Sequence, residues 1–295
     1  MSGPVAVWSL WTAPLTGGSH PGWGTPRHHL LSWVLSVRLA RPLFGRLVLV
    51  TDSRGAALLR DGLGLPFDEV STALDALHGL DPDWWAVAKL HACAMQETPF
   101  VHLDSDVYLW RPLPERLLAA PVFAEHPETG ELGASCYRPE EVEAALRRSG
   151  GWLPEELAAW MPHGGRLTAP NCGVLGGTAV GFLRHFAAQA LRLVGHPDNQ
   201  AAWRSRPVAG DAIVVEQLLL AACVAYHAAR PGSPHAGVRL DYLFESGAAA
   251  WREAEAAGYT HLVAGAKRDP EILARLDRVV ARDWPEDHAR ACALV

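Results

Sequence analysis

The sequence is nearly without lysine: of its 26 basic residues, only Lys89 and Lys267 are not arginine. Codon bias accounts for abundant arginine, but not for lysine standing at these two places. Cysteine is sparse as well. Cys93, Cys136, Cys172, Cys223 and Cys292 are odd in number and form no close C-x-x-C pair. That supports neither a disulfide framework nor a zinc knuckle, and reads as reduced, mostly buried thiols of a cytoplasmic chain. Positive charge is not in excess. With a formal net charge of −6 there is no general field to attract nucleic acid or anionic lipid. Long apolar runs are missing too: the stretches most like a membrane span are broken by Arg38, Arg41 and Arg46 or by Glu216 and Gln217. The first residues also lack the basic start of a secretory signal. The expectation is a cytoplasmic chain with no transmembrane segment.

What is present is an apolar content of 49% against 20% charged residues over 295 positions, enough for a folded, enzyme-sized body. "VAVWSLW" (5–11) alternates as a strand, and a Gly/Pro/His loop leads to a helix over 28–39. "RLVLVTD" (46–52) is a short apolar run of the kind found in buried parallel strands, and "SRGAALLRDGLG" follows as a helix. "DEVST" is a further strand, and "WWAVAKLHACAMQ" (84–96) a helix with apolar positions every three or four residues. Strand, helix, strand, helix, strand predicts an α/β fold with a mostly parallel sheet flanked by helices, whose ligands lie at the strands' carboxyl ends.

At such an end stands "FVHLDSDVYL" (100–109). Alternation along one strand places Asp104 and Asp106 on the same side, with His102 on that side as well. At ~6 Å in an effective dielectric of about 20, two carboxylates repel by roughly 3 kcal/mol, so a cation or a basic group is expected beside them. Oxygen donors select hard ions such as Mg²⁺ or Mn²⁺, which keep open positions for phosphate oxygens. A solvent-exposed strand-end turn is the plain alternative, disfavoured by the apolar strand in front.

The segment "KLHACAMQETPFVHLDSDVYLWRPLP" resembles the centre of the GT-A-fold nucleotide-sugar glycosyltransferases, in which a D-x-D strand follows a helix carrying a basic residue. Downstream, "HLVAGAK" (261–267) is similar to the H-x-x-G-x-x-K pattern of the family 8 retaining transferases. "NCGVLGG" (171–177) resembles their sugar-pocket segment, and "GDAIVVEQ" their acidic-Gln segment. The resemblance implies a single GT-A-like, Rossmann-like domain over 1–295, with a nucleotide- and metal-binding half (1–125) and a sugar- and acceptor-binding half (126–295). It implies that Asp104, Asp106 and His261 hold Mn²⁺ or Mg²⁺ and that Lys267 meets the diphosphate of a UDP-linked or other nucleotide-sugar donor. A compact ammonium suits that point contact in a way an arginine fork does not. Arg268 and Asp269 stand where family 8 has Pro-Trp, pointing to a bacterial branch of its own.

Thr51 and Asp52, Lys89, Ser105, Asn171, Gly173, Gly176, Gly177 and Gly265 are further candidates for donor contacts. For Asp52 a helix N-cap is an equal alternative, and for the glycines a tight turn is. Asp211, Glu216 and Gln217 are candidates to stand beside the transferred sugar, because Glu216 and Gln217 interrupt an apolar helix where an unpaired carboxylate is costly. Twelve tryptophans are mostly core, with exposed ones expected in the 127–170 loops to stack on an acceptor, whether saccharide, lipid-linked glycan or natural product. Two other function classes compete. A haloacid-dehalogenase-type phosphatase also uses D-x-D after an apolar strand, but needs a lysine between its motifs, and residues 107–210 contain none. A catalytically inactive nucleotide-sugar-binding protein would keep the same site.

Overall fold

The computed structural model describes residues 4–16, 22–131, 137–160 and 166–295; Cys136, His163 and part of the loop between Pro14 and Pro26 lie outside them. The strands, in chain order, are β1 (Val5–Leu10), β2 (Arg46–Thr51), β3 (Glu69–Ser71), β4 (Phe100–Leu103), β5 (Val107–Leu109), β6 (Val122–Ala124), β7 (Pro127–Glu131), β8 (Arg166–Pro170), β9 (Val174–Gly177), β10 (Leu240–Tyr242) and β11 (Tyr259–His261). Seven of them form a mostly parallel sheet, while β5 pairs with β11 and β7 with β8 in separate ribbons. The fold is mixed α/β, as the alternation of strand and helix predicts.

The chain groups into two compact units. One holds residues 1–79, 101–114 and 253–295; the other holds 80–100 and 115–252. In the first, β1 pairs parallel with β2, and β2 with β3. Val7, Trp8, Leu47 and Leu49 are fully buried, as strands covered on both faces require. The helix Pro26–Ala40 begins on Thr25, whose side chain accepts from the His28 backbone N–H, with proline in the first turn. Its buried serines bind outward: Trp8 Nε1 donates to Ser36 Oγ at 3.0 Å, and Ser32 and Ser36 both reach the backbone that follows β4. In the second unit β10 pairs parallel with β6, and β6 antiparallel with β9. Gly177 has a φ of 149°, and a Cβ there would come within 2.1 Å of the Pro121 carbonyl oxygen, so close backbone approach requires this glycine.

Three sequence expectations change. "FVHLDSDVYL" is not one strand. It breaks after Leu103, and residues 104–106 form a turn closed by the Val107 N–H to the Asp104 carbonyl at 3.0 Å. Strand alternation therefore does not place the two aspartates; the turn does. The stretch from 127 to 170, expected as loops, contains the helices Pro139–Ser149 and Glu155–Trp160 and also β7 and β8, paired from Pro127↔Pro170 to Glu131↔Arg166. The partners lie too far apart in sequence for any turn signal to announce them. The apolar helix that Glu216 and Gln217 interrupt is not regular there: a wider π turn at Val214–Leu218 precedes Leu219–Ala228. The helices Gly247–Ala257 and Pro285–Ala293 were not anticipated.

Candidate functional site

In the first unit, β11 lies antiparallel on β5 in the register His261↔Val107, Thr260↔Tyr108, Tyr259↔Leu109. The Leu262 N–H donates to the Asp106 carbonyl at 3.0 Å. This register sets His261 beside the aspartate turn, with its Nε2 3.6 Å from Asp106 Oδ1. Lys267, on the short helical turn Ala264–Arg268, brings its ammonium against the other oxygen, Oδ2. One ligand atom from each of Asp104, Asp106 and His261 falls within 4.8 Å of the others. Asp106 is 6% exposed, whereas the Asp104 side chain is about one-third exposed, so one carboxylate is fixed and the other faces water.

Neighbouring side chains hold this arrangement from behind. Ser32 Oγ donates to the Ser105 carbonyl at 2.7 Å and accepts from the Tyr108 hydroxyl at 2.8 Å. Burial, with the Asp106 charge adding to it, pushes the Tyr108 phenol well above its usual range and keeps it a donor. His102 Nε2 meets Ser9 Oγ at 3.0 Å, and its Nδ1 lies 3.8 Å from Asp104 Oδ1, behind the turn. Residues 22–24 cover Lys267: the Gly24 N–H donates to the Lys267 carbonyl at 3.0 Å, and the Trp23 ring centroid is 5.9 Å from the ammonium. Burial opposes charge on Asp106, but the Lys267 ammonium and His261 prevail and hold its carboxyl below the usual range.

The donor set is two carboxylates and an imidazole converging on one point, with one Asp106 oxygen facing the lysine and the other facing the histidine. A hard or borderline divalent ion fits such a set. The Asp106–Lys267 contact leaves an oxygen of Asp106 directed toward the same point.

Gly265 stands one residue off the pattern that drew attention to it. In the H-x-x-G-x-x-K pattern the glycine stands three residues after the histidine, and that position here is Ala264. Ala264 has a φ of 48°, the left-handed region that favours glycine, whereas a Cβ at Gly265 meets nothing within 4 Å. Thr51 and Asp52 serve the fold. Thr51 Oγ1 donates to the Leu10 carbonyl at 2.6 Å. Asp52 accepts the Thr12 N–H and hydroxyl at 2.7 Å each, and the Gly55 N–H at 2.7 Å as N-cap of the following helix.

The second unit gathers the remaining candidates. Lys89, on the helix Val87–Ala94, donates to the Cys172 carbonyl at 2.8 Å and pairs with Glu216 Oε1 at 2.5 Å. Asn171 Oδ1 accepts the Gly173 N–H at 3.0 Å, and its Nδ2 donates to Glu128 Oε1 at 2.7 Å. The Tyr137 hydroxyl contacts both Glu128 and Gln217. Glu216 and Gln217 ride on the π turn, a rare geometry that recurs at functional sites. Asp211 is buried and paired with Arg206, which also reaches Glu141. Burial raises the Asp211 carboxyl despite that guanidinium. Gly176 lies in β9, opposite Phe123 of β6. Glu128 and Tyr137 escaped the sequence reading because they sit in a stretch that carried no periodic pattern. Trp152, within the expected acceptor loops, is occupied: His196 stacks on it at 5.4 Å and the Arg192 guanidinium lies 4.1 Å from its centroid. The exposed tryptophans are Trp85, Trp110 and Trp251.

Over residues 6–294 the sequence matches the model of a family of unknown function, DUF6734, rather than that of family 8. No curated protein matches the sequence significantly. Among solved structures, the apo form of mouse xyloside xylosyltransferase 1 is similar at 13% identity, over 75% of this chain and 84% of that one, with a TM-score of 0.28. Likeness at that level does not establish a shared fold. No described helix is long and apolar enough to cross a membrane.

Proposed function

We propose that this chain, which belongs to the DUF6734 family of unknown function, is a metal-dependent GT-A-like glycosyltransferase acting on a nucleotide-diphosphate sugar, with UDP as the nucleotide. One observation carries the reading: the turn at 104–106 receives both an imidazole and the ammonium of one of the chain's two lysines from its far C-terminal segment. Asp104, Asp106 and His261 would hold Mn²⁺ or Mg²⁺, which when bound supplies Lewis-acid stabilisation of the departing diphosphate. Lys267 presents a point charge to the same phosphate oxygens. The Ser32 and Ser36 hydroxyls fix the turn, so that the carboxylates are aimed before a ligand arrives, which lowers the cost of binding. In the same reading Asp211, Glu216 and Gln217 are the residues proposed to meet the transferred sugar.

Calorimetric titration of UDP in the presence of Mn²⁺ tests the site. Wild-type chain is expected to bind only with the metal, and Asp104→Ala and His261→Ala to abolish that binding. Equal heats in wild type and both variants would refute the assignment. Turnover is tested with UDP-, GDP- and TDP-sugars. Donor hydrolysis marks a transferase, metal-dependent binding without hydrolysis an inactive binder, and release of phosphate from an aryl phosphate a phosphatase.

A further inference from the structure

The second unit contains another cluster whose chemistry the glycosyltransferase reading does not use. Glu156 lies in the first turn of the helix Glu155–Trp160, His185 in the helix Val180–Gly195, and His227 in the last turn of Leu219–Ala228. The three side chains converge: His185 Nε2 is 2.7 Å from Glu156 Oε1, His227 Nε2 is 3.4 Å from the same oxygen, and the two nitrogens are 3.1 Å apart. Glu156 and His227 are 4% and 5% exposed.

Hydrogen bonding alone serves this cluster poorly. His227 Nδ1 lies 2.6 Å from Ser233 Oγ. Where Ser233 donates to Nδ1, the N–H groups of the two imidazoles face each other; where Nδ1 donates to Ser233, His227 Nε2 presents a lone pair toward His185 and Glu156. A single proton on His185 Nε2 then faces both a carboxylate oxygen and an imidazole nitrogen, and a second pair of lone pairs, on Glu156 and His227, has no proton between them. A cation removes the conflict. For a tetrahedral zinc ion with bonds of about 2.0–2.1 Å, neighbouring ligand atoms are separated by about 3.3 Å; the observed separations of 2.7, 3.1 and 3.4 Å lie around that edge.

We infer that Glu156, His185 and His227 form a zinc-binding site that ties three helices of this unit together. Two imidazoles and one carboxylate favour Zn²⁺ over Mg²⁺ or Mn²⁺, which prefer oxygen. The contact to Ser233 orients His227, in the manner of the hydrogen bonds that fix metal-bound histidines. The fourth position is bordered by His235, whose ring centroid is 5.1 Å from that of His185 and 5.2 Å from that of His227. An open depression of about 530 Å³, lined by Tyr226, His227, Arg230 and Ser233 among others, borders His227 on one side of the cluster. Nothing in the chain's spacing announces the site, because its ligands come from separate helices.

The test uses full-length chain carrying Asp104→Asn, so that the carboxylate turn does not compete for metal. After loading with Zn²⁺ and dialysis, mass spectrometry of the metal content is expected to find about one zinc per chain, and Zn²⁺ to raise the melting temperature. Adding His185→Gln with His227→Gln is expected to weaken zinc binding by roughly a hundredfold or more, with an unchanged far-ultraviolet circular dichroism spectrum. If that double change prevents folding, Glu156→Gln, which keeps the shape, is expected to weaken binding by roughly tenfold or more. Co²⁺ in place of zinc should give the intense visible absorption of a four-coordinate ion, which a hydrogen-bonded cluster does not produce. Failure of the Asp104→Asn chain to retain zinc, or full retention by the histidine and Glu156 variants, overturns the proposal.

Discussion

Lys89 Nζ lies 2.5 Å from Glu216 Oε1, with the two side chains 6% and 1% exposed. Lys267, the chain's other lysine, likewise meets a buried carboxylate, that of Asp106. In a chain that otherwise uses arginine for positive charge, lysine stands where a compact ammonium enters a closed space. At Lys89, whose ammonium also donates to the Cys172 carbonyl, a guanidinium, which is planar and broader and carries five donors, would crowd the surrounding backbone.

Removing one partner of the buried pair leaves the other charge without compensation. Lys89→Ala and Glu216→Ala are each expected to destabilise the fold by about 3–5 kcal/mol, whereas the joint replacement Lys89→Met with Glu216→Leu is expected to cost far less. Urea unfolding of the four proteins measures this. If the double variant loses as much as the sum of the single ones, the pair is not acting as a unit.

At Lys267 the functional reading makes a sharper demand, because charge and shape separate. Lys267→Arg keeps the positive charge next to Asp106, and so is expected to fold with a melting temperature near wild type. It is nonetheless expected to lose roughly tenfold or more in metal-dependent UDP affinity, since the ammonium acts as a point contact in the space beneath Trp23. Lys267→Ala is expected to lose both affinity and stability. Retained affinity in the arginine variant would show that only the sign of the charge matters.

The order of strands and helices was legible because apolar periodicity and strand-end residues are local signals. Even the meeting of Asp106, His261 and Lys267 was anticipated, although on the wrong local ground. A resemblance, not alternation, brought the histidine and lysine into view, and the aspartates sit on a turn rather than on one strand face. The backbone around residue 264 shows the limit of pattern matching. The sequence drew attention to Gly265 because it is a glycine, while the conformation that glycine favours is carried by Ala264. The β7–β8 ribbon and the Glu156–His185–His227 cluster were illegible for one reason: their members are brought together by tertiary packing, and no residue near any of them in sequence encodes the partner.

Ala264 yields its own prediction. A left-handed backbone costs a residue with a Cβ roughly 1–2 kcal/mol, and replacing it by glycine gives back about 0.5–1 kcal/mol in unfolded-state entropy. Ala264→Gly is therefore expected to be neutral to about 1.5 kcal/mol more stable, and Ala264→Val to be less stable than wild type because branching at Cβ worsens the clash. Gly265→Ala is expected to be tolerated, since the added methyl meets nothing within 4 Å. Thermal melts of the three variants check the ordering, and a destabilised Ala264→Gly would contradict it.

Acid should weaken the fold partly through Asp68. Its carboxylate accepts the Leu47 N–H at 2.7 Å and pairs with Arg41 at 2.7 Å, and these contacts hold its pKa below the ordinary carboxylate value of 3.8. Because the folded value is the lower one, the unfolded chain takes up the proton first as pH falls. The stabilisation is fully present above the unfolded value and is lost as pH drops through the folded one. Asp68→Asn is expected to lower the urea midpoint at pH 7, with the gap to wild type closing steadily below about pH 4. A gap that stayed constant from pH 7 to pH 3 would mean that the loss comes from packing and not from the charge.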